Sequence, residues 1–134
     1  MTDIVRNIFN LFFQVYSFKE IPSESSNILS YSNNDLYLNF IYDIRYNEIT
    51  VNISRNGSFN YQNLLLVFEK LMTKENNDVF VLLKNEFMHL DPRIQKLKEV
   101  YMNNTNGLFL LASCSLLIRN YNEIVLAVKG CDNI

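Results

Sequence analysis

The stretch that decides the fold is DLYLNFIYDIRYNEITVNISR, residues 35–55. Leu36, Leu38, Phe40, Tyr42 and Ile44 alternate with Tyr37, Asn39, Ile41, Asp43 and Arg45. Past a turn near Tyr46-Asn47, Ile49, Val51 and Ile53 alternate with Glu48, Thr50, Asn52 and Ser54. Successive strand residues point to opposite faces, so two period-two runs with a tight connection read as an antiparallel hairpin with one buried face. Asn56-Gly57 supplies the terminating turn signal. Upstream, residues 27–32 read as a short edge strand. Asn33-Asn34 joins it to the hairpin, because asparagine tolerates the left-handed conformation of a tight turn. The sheet expected is a three-stranded antiparallel meander.

Outward from the sheet, the period changes. Asp3, Arg6, Asn7, Asn10, Gln14 and Ser17 recur at spacings of three and four and form one polar stripe. Ile4, Val5, Ile8, Phe9, Leu11, Phe12, Val15 and Tyr16 fill the rest of an amino-terminal helix docked deeply on the sheet. Pro22 and the serines of PSESS end it in a loop. From Asn60, Tyr61, Leu64, Leu65, Phe68, Leu71 and Met72 share a helical face, with a turn at 73–78. Residues 79–90 begin like a buried strand (VFVLL), yet the spacing Phe80, Leu83, Phe87, Leu90 favours a helix, and both readings stay open. Asp91-Pro92 supplies an N-cap and a first-turn proline. Ile94, Leu97, Val100 and Tyr101 carry a helical face to a break or kink at 103–107, through which tertiary packing could still carry the helix. A last helix is expected from Leu108 toward Lys129, with Gly130 as its stop. The architecture expected is one α+β domain over 1–134: an amino-terminal helix, the meander, and three or four helices on one sheet face.

The chain's 134 residues match one domain and suffice for a core. A hydrophobic fraction of 49% excludes a disordered chain. Twelve Lys+Arg against 14 Asp+Glu give a net charge of −2, and the basic residues are dispersed, Arg93, Lys96 and Lys98 being followed by Glu99. A nucleic-acid partner is therefore not expected. The 20 asparagines are scattered and only two alanines occur, a bias of AT-rich coding rather than of function. The amino terminus lacks the features of a secretory leader, since Asp3 and Arg6 interrupt it and no small-residue cleavage site follows. The apolar run 108–118 is eleven residues long, where a membrane span needs about 20. The expected location is the cytoplasm, with no membrane partner. Two cysteines, Cys114 and Cys131, are too few for a disulfide framework, and Cys114 reads as a small hydrophobe.

Equipment for catalysis is sparse. The single histidine, His89, could act as a general base only with Asp91 or Glu86 to orient it, and it reads better as a helix-end histidine beside a carboxylate. One histidine and two widely separated cysteines make no zinc site. No G-x-S-x-G elbow occurs, and three glycines, at 57, 107 and 130, cannot build a phosphate-binding loop. The expectation is a protein that is not an enzyme and has no cofactor, metal or catalytic residues.

Two stretches, residues 35–55 and LLIRNYNEIVLAVKG at 116–130, resemble small bacterial immunity proteins of contact-dependent and polymorphic toxin systems. The likeness lies in a strand ending in aromatic-Asp-x-Arg (Tyr42 to Arg45), a turn, then the acidic Glu48 and a β-branched strand. It covers about a quarter to a third of the chain and includes no catalytic motif. The resemblance implies a stoichiometric inhibitor that occludes a cognate toxin domain, a nuclease among the candidates because acidic groups steer a basic partner. The partner contacts expected from strand parity are Tyr37, Asp43, Arg45 and Glu48. The alternative is a structural or regulatory subunit that forms a homodimer, or joins an assembly, through its apolar carboxy-terminal helix.

Overall fold

The polar stripe at spacings of three and four produces helix α1, Thr2–Val15, with Ile4, Val5, Ile8, Phe9, Phe12 and Phe13 buried on its other side. The computed structural model describes residues 1–72 and 78–131. The helix ends in a Schellman turn: Phe18 N–H donates to Phe13 C=O (2.8 Å) and Ser17 N–H to Gln14 C=O (3.4 Å). Ser17 takes φ 58° where glycine is usual, and the Phe13 and Phe18 rings close over the turn at 5.7 Å.

Strands β1 (Lys19–Ile21), β2 (Ile28–Ser32), β3 (Leu36–Asp43), β4 (Glu48–Arg55) and β5 (Gln62–Asn63) follow, paired antiparallel in sequential order. The period-two reading of β3 and β4 holds: Phe40 faces Val51 and Leu38 faces Ile53, all four fully buried. Among the described residues the sheet has five strands rather than three. β1 (KEI) and β5 (QN) are too short and too polar to show alternation, and β1 pairing makes β2 an internal strand rather than an edge. Ile44 does not continue the core face, because β3 ends at Asp43, whose carboxylate accepts Arg45 N–H (3.0 Å) and turns the chain out.

The two hairpin turns differ from expectation in one respect. Asn47 adopts φ 51°, but neither Asn33 nor Asn34 has a positive φ. Asn33 instead makes its turn with the side chain: its Oδ1 accepts Asp35 N–H (2.9 Å) and Leu36 N–H (2.8 Å). Its Nδ2 donates to Tyr16 C=O (2.8 Å) and Tyr121 Oη (2.7 Å), tying the hairpin to both ends of the helical layer.

Among the described residues five helices follow: α2 (Leu64–Met72), α3 (Val79–Met88), α4 (Leu97–Tyr101), α5 (Gly107–Arg119) and α6 (Tyr121–Cys131). The α2 helix starts four residues later than expected because β5 occupies Gln62–Asn63. Tyr61 and Leu71 stay exposed, while Leu64, Val67 and Phe68 are buried. Residues 73–77 of the expected turn lie outside the described residues. Helix wins over strand at 79–88, with Asp78 Oδ1 capping Phe80 N–H (2.9 Å). Asp91 caps Arg93 N–H (3.0 Å) as expected, but the chain then makes three-residue turns until Leu97, and Val100 is exposed. The expected single last helix is two. Asn120 Nδ2 bonds back to Leu116 C=O (3.0 Å), and the chain restarts at Tyr121, passes Gly130 and reaches Cys131.

On the core face of the sheet, the Phe9 ring lies 5.0 Å from Phe40 and Phe13 stacks at 3.8 Å on Tyr31. The α6 helix packs on β4, and α5 packs against α1 and α3. Every α5 residue from Leu110 to Ile118 is buried, so the apolar run is a core helix enclosed on all sides. Cys114 there donates to Ile8 C=O (3.6 Å), and burial pushes its thiol up. Among the described residues no helix is long and apolar enough to cross a membrane.

Gly107 permits the break before α5. A Cβ built on it would lie 1.9 Å from the Tyr101 carbonyl oxygen, a backbone atom that cannot turn away. Gly107→Ala is therefore expected to destabilise the fold by about 1–3 kcal/mol, the usual range for forced overlap. It should also speed hydrogen exchange at Ile49, whose N–H bonds the neighbouring Asn106. An unchanged urea midpoint would contradict this reading of the contact.

Candidate protein-binding surface

Asp43 and Glu48 close the β3–β4 ladder directly opposite each other. Like charges so placed repel. Arg45 answers this within the loop, its guanidinium reaching Asp43 through Nε (3.4 Å) and Nη2 (3.3 Å). That pairing holds the Asp43 carboxyl below the usual carboxylate range. The same guanidinium lies 5.5 Å from the Tyr46 ring centroid, within cation–π range.

The loop Ile44–Asn47 projects from the body. Ile44 is 69% exposed and Tyr46 68%. Its base is nevertheless fixed. Tyr42 Oη donates to Asn47 Oδ1 (2.8 Å), and Asn47 Nδ2 donates to Thr105 Oγ1 (3.3 Å). Buried Asn106 acts as a short substitute strand: its Oδ1 accepts Ile49 N–H (3.1 Å) and its Nδ2 donates to Asn47 C=O (3.1 Å). An exposed isoleucine, arginine and tyrosine on a pinned loop form a surface of the kind found at the centres of interfaces.

Beside the loop runs a groove of about 490 Å³ lined by Glu48, the residue after the loop, and by Thr105 and Asn106, which hold Asn47. Among the described residues β5 pairs with Asn52 and Ile53 alone, so no strand covers the first half of β4 on that side, where the Asn106 amide bonds its start. Ile49, Val51, Leu65, Phe80, Leu83 and Phe109 give the groove an apolar lining.

Of the residues expected at the partner surface, Asp43, Arg45 and Glu48 are thus brought together, and Tyr37 is not. It stands six positions back along β3, about 20 Å at strand rise. Half-buried there, it donates to Ser30 Oγ (3.0 Å), and its ring lies 5.6 Å from Tyr61. Sequence reasoning missed Ile44 and Tyr46. Parity assigned Ile44 to the core, and only the point at which β3 stops reveals it as a loop residue. Asn106 carries no local signal for its role, since its partners are 57 and 59 residues away.

His89 caps α3 and is exposed, and its backbone carbonyl accepts from Arg119 Nη2 (2.8 Å). Both carboxylates that could orient it are engaged elsewhere. Glu86 accepts from Ser115 Oγ and from Arg119 Nε (2.9 Å). Asp91 is held bidentate by Arg93 (3.0 and 3.1 Å), which keeps its carboxyl low. No group of three histidine, cysteine, aspartate or glutamate residues is placed to hold a metal among the described residues. Of the carboxy-terminal helix named by the self-assembly alternative, residues 110–118 are buried in α5, whereas Leu126 of α6 is exposed. No family model, curated protein or solved structure matches the chain.

Proposed function

We propose that the protein is a binding module that acts through its β3–β4 loop and the adjoining groove, and that its partner is a toxin domain which it neutralises by stoichiometric occlusion. The observation that carries the reading is the pinned loop with Ile44, Arg45 and Tyr46 exposed on it. Fixing a loop before binding lowers the ordering cost of association, so the hydrogen bonds at Asn47 and Asn106 favour tight recognition. Asp43 and Glu48 add the acidic character that steers a basic partner. The partner's identity as a toxin domain rests on the resemblance of residues 35–55 and 116–130 to immunity proteins.

The test is co-expression of tagged protein with the product of the adjacent gene, followed by a growth-rescue assay. A stoichiometric complex and restored growth are expected. Tyr46→Ala, with an unchanged melting temperature, and Arg45→Glu, which also loses the pairing with Asp43, should each weaken the complex about tenfold to a hundredfold, the size of an interface hot spot. A complex indifferent to both substitutions would overturn the surface assignment. No complex, no rescue and a dimer across a dilution series would overturn the immunity reading.

A further inference from the structure

The chain contains the dipeptide Asn-Gly twice, at 56–57 and 106–107, and the fold treats the two oppositely. Asn106 is buried, with both halves of its amide bonded to Ile49 and Asn47, and Gly107 N–H donates to Asn104 C=O (3.0 Å). Asn56 and Gly57 lie exposed in the turn after β4. Gly57 has φ +87° and nothing within 4 Å of where a Cβ would stand. Among the described residues its N–H donates to no partner. Among the described residues the Asn56 side-chain amide has a single partner, the Asn33 carbonyl that it donates to at 2.8 Å, while the Asn56 backbone N–H donates to Asp35 C=O (3.0 Å).

We propose that Asn56 is a site of spontaneous deamidation, and that the fold protects Asn106 from the same reaction. Glycine leaves the attacking backbone nitrogen unhindered, and asparagine is among the thermolabile residues. The Gly57 nitrogen bonds to the Asn56 side-chain carbonyl carbon as its proton passes to water or hydroxide. The bond from that carbon to Nδ2 breaks, and ammonia leaves with a proton from solvent. Water then adds to one or the other carbonyl of the cyclic imide, opening it to aspartate or to isoaspartate, with no change of oxidation state. At Asn106 the attacking N–H is hydrogen-bonded and the amide is held on both sides. Either product replaces the donor that Asn56 offers to Asn33 C=O with a carboxylate, and isoaspartate also lengthens the backbone by one carbon where β4 ends. The reaction therefore releases one tie on Asn33.

The experiment incubates the full chain, folded, in mildly alkaline buffer and quantifies the peptides that contain residues 56 and 106 over time. Asn56 should convert at least about tenfold faster than Asn106, a barrier difference near 1.4 kcal/mol. In urea the two rates should converge. Gly57→Ala should slow Asn56 about tenfold, and because alanine at this φ strains the turn, its melting temperature is measured alongside. Asn56→Asp should melt below the parent chain. Equal conversion at the two sites in the folded chain, or an unslowed Gly57→Ala, would overturn the proposal.

Discussion

Phe12→Ala is expected to lower the stability of this protein by about 3–5 kcal/mol, the range for deleting a fully buried phenylalanine. Phe12 is 0% exposed and sits where α1, the turn after it and α6 meet. Its ring stacks on Phe18 at 5.1 Å, meets Phe9 edge-on at 6.1 Å, tilts against Tyr16 at 5.2 Å and reaches Tyr121 of α6 at 6.0 Å. Truncation removes transfer energy and leaves a cavity that the rigid neighbouring rings can only partly fill. A domain of this size has about 5–15 kcal/mol in total, so the variant should lose a large share of its stability and melt about 10 °C lower or more. Chemical denaturation measures this directly. Phe12→Leu serves as the control, since it keeps apolar volume and should lose well under half as much. A loss below about 1.5 kcal/mol for Phe12→Ala would show that the corner repacks freely, contrary to the ring geometry.

Asn33→Ala should cost about 2–4 kcal/mol, far more than an average half-buried polar residue. The side chain makes four hydrogen bonds of 2.7–2.9 Å. Alanine leaves the N–H of Asp35 and of fully buried Leu36 without an acceptor and the Tyr16 carbonyl without its donor, and an unsatisfied buried group costs more than a hydrogen bond gains. Tyr121→Phe removes only one of these bonds while keeping the ring that stacks on Tyr16 at 3.8 Å. The double variant should therefore fall short of additivity by about 0.5–1 kcal/mol, which a double-mutant cycle reads. Strict additivity would separate Asn33 from the α6 corner.

The two residues also mark the limits of what could be read beforehand. Phe12 was legible, because the period of α1 places it opposite the polar stripe, and helical geometry is local. Asn33 was recognised as a turn residue for a mechanism it does not use. Sequence indicates that asparagine can enter the left-handed region, but its actual work depends on Tyr16 and Tyr121, the latter 88 positions away. The surface divides in the same way. Parity assigns Asp43, Arg45 and Glu48, together with Tyr37, to one outward face of the hairpin, and Ile44 to the core. A shift in where a strand stops exchanges a core residue for a surface one.

By itself, the order of residues determined the α+β class, the alternation of β3 and β4, and the amino-terminal helix. Each follows from a repeat or a stop signal within a window of a few residues, where backbone geometry alone sorts polar from apolar. Tertiary structure decided the outer strands, the division of the last helix at Asn120, the enclosure of 110–118 and the pinned loop. Strands of two and three residues carry too little pattern to be read, and they form because a longer strand offers unpaired backbone groups beside them. The loop is held by Thr105 and Asn106 only because the α4–α5 turn, closed tightly over Gly107, arrives beside β4. Which buried surfaces meet, and which side chains are left outside, is fixed by contacts between residues far apart in the chain.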